Sequence, residues 1–155
     1  MSLLQTLILC IFIHCFVGKA TASPWKPCSM QMAAKISKVA VAGCNMDGAI
    51  CDLKRGSNAS LSVTFTQNTE ENKAVAKVHG LIAGVPIPYP VNNPDACIYS
   101  KSGINCPLKP GTQYVYHHLV PVKAAYPKIG VLVEWNLVGN EGSIFCLMLN
   151  AQIVD

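Results

Sequence analysis

Residues able to do chemistry are few in this chain, and they do not converge. Beyond residue 22 the histidines are His79, His117 and His118, and the carboxylates are Asp47, Asp52, Glu70, Glu71, Asp95, Glu134, Glu141 and Asp155. Acid–base or metal-assisted catalysis needs several such groups gathered around one reacting atom. Here they are spread between strand-like segments, with no Gly-x-Ser-x-Gly elbow, no metal-ligand spacing and no phosphate loop. The pattern predicts no catalytic residue, no metal and no cofactor. It places the histidines at partly exposed strand positions and Glu134, between Val133 and Trp135, on a solvent face or in an ion pair.

Cysteine carries the clearest covalent chemistry. Cys10 and Cys15 lie in an apolar run over residues 3–17, which is followed by small residues at Ala20, Thr21 and Ala22. That run is shorter than the roughly 20 residues a spanning helix needs, and the small residues suit a signal peptidase. Residues 1–22 therefore read as a signal peptide cleaved after Ala20 or Ala22, and residues 23–155 as one domain. The expected destination is extracellular, or the lumen of a lysosome or endosome. Six cysteines follow the leader: Cys28, Cys44, Cys51, Cys97, Cys106 and Cys146. An even number in a secreted chain argues for three disulfides, and the spacing favours two local pairs, Cys44 with Cys51 and Cys97 with Cys106, inside a long Cys28–Cys146 link.

The formal net charge is +4, from lysines that form no run and stand beside no aromatic platform. This argues against a nucleic-acid partner. The remaining specific signal is apolar. Residues 80–90 carry no charge and have prolines at 86, 88 and 90. Each proline lacks a backbone donor, so the segment is confined to a sheet edge or an extended path, and its apolar side chains must line something other than a two-sided core. A wall of a pocket for an apolar ligand answers that requirement.

The elements that would hold such a wall are strands. Leu61, Val63 and Phe65 alternate with polar residues; Ile129, Val131, Val133, Trp135 and Leu137 share one parity, as do Phe145, Leu147, Leu149, Ala151 and Ile153. A period of two marks strands with one buried face. Further strands are expected over residues 35–42, 74–82 and 114–122, with turn chemistry between them. Six to eight short strands read as an all-β, antiparallel sandwich.

The motifs, in order, are an NASLSVTF strand, GVPIPYP, SGINCP, PVKAAYP, VLVEW and a late IFC. Together with the six cysteines this series resembles the ML lipid-recognition domain family, within it the Niemann-Pick type C type 2 sterol carriers, and also the group 2 mite allergens. The resemblance covers nearly all of residues 23–155. It implies an immunoglobulin-like β-sandwich with an apolar pocket between its sheets, no enzymatic activity, and the same disulfide pairing. It also implies a monomer carrying a sterol or fatty-acid-like ligand, with transient contact to a membrane or membrane receptor. Carriage of fatty acids or semiochemicals in an extracellular fluid, and recognition of a microbial lipid by an innate-immune module that docks on a receptor, are the alternatives within the family.

By the resemblance, Tyr89, Val122 and Tyr126 match the apolar residues of the sterol pocket. Tyr89 stands where those carriers have Phe, which adds a hydroxyl in need of a partner. Strand parity adds Val63, Phe65, Val85, Ile87, Tyr114, Tyr116, Pro121, Val133, Trp135, Phe145 and Leu147 as candidate lining residues. Asn58-Ala59-Ser60 is an N-glycosylation sequon, expected in a turn just ahead of the Leu61 strand.

Overall fold

The computed structural model describes residues 21–155, so the signal-peptide reading of residues 1–22 lies outside the described residues save its last two positions. Nine strands follow: β1 (Trp25–Pro27), β2 (Ala34–Val41), β3 (Cys51–Lys54), β4 (Ser57–Gln67), β5 (Val75–Ile82), β6 (Val85–Tyr89), β7 (Gln113–Val122), β8 (Gly130–Val138) and β9 (Ser143–Val154). Among the described residues no helix is long and apolar enough to cross a membrane.

One sheet runs β1-β9-β8-β5-β6, with β3 also paired to β9, and the other runs β2-β4-β7. All pairings are antiparallel except β3 with β9, where Cys51 lies opposite Ala151 and Lys54 opposite Val154 in parallel register. The sandwich is thus the expected one, with three short strands, β1, β3 and β6, beyond those the periodicity marks. β3 is only four residues long and follows a cysteine loop, too short for alternation to declare itself. Asn58 lies inside β4, opposite Pro121, rather than in a turn ahead of the strand.

The proline segment becomes β6, the outer strand of its sheet, with Tyr89 opposite Val78 and Ile87 opposite Gly80. Pro86 and Pro88 share one parity, so both missing donors fall on the open side, as an edge strand requires. Inward residues of the two sheets form the core, and their sizes change along the sandwich. β4 presents Ala59, Leu61, Val63 and Phe65 in turn, and all four are buried. β9 runs the opposite way, from Phe145 to Ala151, so antiparallel strands bring bulky residues together at one end. There Phe65 meets Phe145 at 5.1 Å between ring centroids, and Tyr116 meets Phe145 at 5.8 Å and Trp135 at 6.2 Å. These are the contact distances of well-packed aromatic pairs.

The disulfides are Cys28–Cys146, Cys44–Cys51 and Cys97–Cys106. The first spans 118 residues and ties the segment after β1 to the middle of β9, and the Cys28 amide also donates to the Cys146 carbonyl at 3.0 Å. In the chain-entropy model a loop of that length contributes about 4–5 kcal/mol. Replacing both Cys28 and Cys146 with Ser should lower the unfolding free energy by several kcal/mol in a denaturant titration. A loss below ~1 kcal/mol would show that this bridge does not restrain the unfolded chain as the model supposes.

Candidate functional site

Opposite the aromatic end the inward side chains are small, and the two sheets enclose a cavity of about 150 Å³. Its wall combines Val41 and Leu61 from the three-stranded sheet with Val78, Val131, Val133 and Leu149 from the other. Gly80 helps keep the space open: a Cβ there would come within 3.2 Å of Val131 Cγ2. Trp135, 3 % exposed, closes the cavity toward the aromatic core.

The mouth is built by two edge strands and a turn. The Tyr89 hydroxyl of β6 donates to the Pro121 carbonyl of β7 at 3.2 Å, so one hydrogen bond joins the free edges of the two sheets. Past β7 the chain turns, with the Tyr126 amide donating to the Lys123 carbonyl at 3.1 Å, and this brings Tyr126 back over the opening. Desolvation, and then the neighbouring Tyr126 hydroxyl, push the Tyr89 phenol up to about 12. The Tyr89 hydroxyl is therefore a neutral donor at physiological pH.

His118 differs from the expectation of partial exposure. It is 4 % exposed, with Nδ1 3.1 Å from the Tyr116 hydroxyl and its ring packed on Tyr99 and Trp135 at 5.4 and 5.1 Å. β7 turns its even positions inward, which puts His118 in the row of Tyr116 and Val122, whereas His117 is exposed. Burial lowers the His118 pKa, and the Asn92 backbone carbonyl only partly opposes this. His79 lies opposite Glu134 in the ladder, with Nδ1 3.5 Å from Oε1, so Glu134 is ion-paired when His79 is protonated. Among the described residues no three metal-ligating side chains cluster.

Of the residues singled out from sequence, Tyr89, Pro121, Val122, Tyr126, Val133 and Trp135 line the cavity. Val63, Phe65, Tyr116 and Phe145 lie in the packed aromatic half, at most 1 % exposed, where neighbouring side chains already fill the space. Val85 and Ile87 share Tyr89's parity but extend past the cover of the opposite sheet, and they are 59 % and 48 % exposed. Val41, Leu53, Ala59, Val120 and Ile153 line the cavity without having been singled out as lining residues. The signal for them was present in the fall in inward side-chain size along β4 and β9, which parity alone does not weigh.

An immunoglobulin-like sandwich of two sheets, cross-linked by three disulfides and hollow at one end, defines the class. A sequence profile described as the ML domain matches residues 22–153, and the chain belongs to that family. It is 35 % identical over 148 residues to the NPC intracellular cholesterol transporter 2 of Mus musculus, covering 94 % of this chain and 95 % of that one. It is 36 % identical over 147 residues to the NPC intracellular cholesterol transporter 2 homolog a of Drosophila melanogaster, with the same coverage. The crystal structure of a Niemann-Pick type C2 protein from the Japanese carpenter ant superposes with a TM-score of 0.79 at 26 % identity, over 84 % of this chain and 98 % of that one.

Two outcomes test this geometry. Tyr89→Phe should remove a phenol that titrates near 12 from the ultraviolet pH titration. It should also cost about 0.5–1.5 kcal/mol of stability through the lost bond to Pro121. For His118 the folded protein holds the neutral form, while the unfolded chain takes up a proton near the ordinary pKa of about 6.5. The His118 contribution is therefore complete above about 6.5 and is lost as the pH falls below it. An NMR titration in which the His118 imidazole protonates at a higher pH than that of exposed His117 would contradict its burial.

Proposed function

We propose that this protein is a secreted, non-enzymatic lipid carrier that holds one sterol or fatty-acid-like ligand in the cavity between its sheets. The observation that carries the reading is the wall itself: aliphatic and aromatic side chains, with His79 the one basic residue among them and the Tyr89 hydroxyl at the mouth. Such a wall suits transfer of a lipid tail from water at roughly 25 cal/mol per Å² of apolar area. It offers nothing for bond-making. Family membership supports the same role, and the names of the mouse and fly relatives favour a sterol among the cargoes.

At about 150 Å³ the cavity lies below the roughly 300–1,000 Å³ of ligand pockets, so loading must widen it. The region that can yield is the mouth, where the sheet edges are joined through Tyr89 and Pro121 and no disulfide crosses. Exposed Val85 and Ile87 beside the mouth suit transient contact with a membrane or membrane receptor while a lipid passes between them. The apolar run at residues 3–17 supports secretion by a signal peptide, and exposed Asn58 on β4 is accessible for glycosylation.

Val122→Asp and Tyr126→Ala should each weaken displacement of a fluorescent sterol or fatty acid by more than roughly tenfold, the equivalent of about 1.4 kcal/mol. The circular-dichroism spectrum should stay that of a β-sandwich. Unchanged affinity in both folded variants would place the ligand elsewhere.

A further inference from the structure

The cavity has a charged neighbour at its mouth. Arg55 stands in the turn between β3 and β4, two residues after Leu53, which lines the cavity. Its backbone is pinned there: the Arg55 amide donates to the Val154 carbonyl at 2.9 Å, and the Gly56 amide donates to the carbonyl of Val122, another lining residue, at 2.7 Å. Its guanidinium Nη1 donates at 3.4 Å to the carbonyl of Tyr126, whose side chain covers the opening. The Arg55 side chain is 30 % exposed, and its Nη2 is paired with the Asp155 carboxylate. The same carboxylate accepts from Lys128 Nζ at 2.7 Å, so two cations share one anion, and exposed Lys123 lies in the adjoining turn.

We propose that this corner is a head-group site and that the preferred cargo is a long-chain carboxylate, whose ionised head pairs with Arg55 while its chain fills the cavity. The inference rests on the lipid-carrier reading and adds to it the ligand class and the residue that selects it. A guanidinium fork matches a carboxylate in a two-point contact that an uncharged hydroxyl cannot reproduce. Asp155 already shows the arrangement from within the chain: a carboxylate held by Arg55 and Lys128. It is 62 % exposed, so it can swing into water and yield its place. The Tyr126 hydroxyl, beside Tyr89 at the mouth, is a donor for the second oxygen of the head.

The test compares oleate, at a pH where it is ionised, with oleyl alcohol, which has the same chain and no charge. Each displaces one fluorescent probe from the full protein. The wild-type chain should bind oleate more tightly, and added salt should narrow the difference. Arg55→Gln should reduce the oleate-to-alcohol affinity ratio roughly tenfold, the scale of one hydrogen bond to a charged group. Arg55→Lys should restore part of the ratio, and Asp155→Asn, which removes the internal competitor, should raise it. Equal binding of the two ligands by the wild-type chain, or a ratio that neither substitution moves, overturns the head-group site and leaves the carrier reading intact. Failure of both ligands to bind overturns both.

Discussion

An apolar cavity in water has to be prevented from collapsing, and the rest of this structure depends on that constraint. At about 24 cal/mol per Å³ of void, a cavity of about 150 Å³ costs roughly 4 kcal/mol, a large share of the 5–15 kcal/mol by which domains are stable. The aromatic end supplies the opposing stiffness. Phe65, Tyr116, Trp135 and Phe145 hold the sheets apart at one end, as a wedge does, so the small residues at the other cannot close the gap without breaking those contacts. The Cys28–Cys146 bridge anchors β9, the strand that carries both the aromatic and the small-residue halves. A lipid that fills the void removes its cost, so occupancy and stability are linked.

Opening is concentrated on one side. Ladders to β9, antiparallel from β1 and β8 and parallel from β3, together with the Cys28–Cys146 and Cys44–Cys51 bridges, secure the β9 side, whereas the edges of β6 and β7 meet through the Tyr89–Pro121 hydrogen bond. The prolines of β6 keep that edge from recruiting another strand, as an edge beside an entry path requires. A Phe at position 89 would leave the edges without this bond, so the tyrosine hydroxyl adds a reversible fastening to the mouth.

Much of this was legible in the residue order. Alternation marked β4, β8 and β9, spacing favoured the disulfide pairing, and the prolines required an edge. Parity, however, says only which face a side chain takes. Phe65 and Val63 have the same parity as Ala59 and Leu61 yet sit in filled space, because depth along the sandwich, set by register with β7 and β9, decides between core and cavity. Val85 and Ile87 face inward by parity and remain exposed because the opposite sheet has only three strands and ends short of them. β3 escaped notice because its partner is parallel and distant in the chain, and Arg55 because its importance lies in contacts to Tyr126 and Val154 made after folding.

The two tryptophans allow a direct test of where the ligand sits, since Trp135 lines the cavity and Trp25, on β1, does not. In a Trp25→Phe protein, emission from Trp135 is expected to be quenched, saturably and at one equivalent, by a fatty acid or sterol brominated along its apolar portion, since bromine quenches only on contact. Emission that stays constant while the same brominated ligand binds would contradict the account.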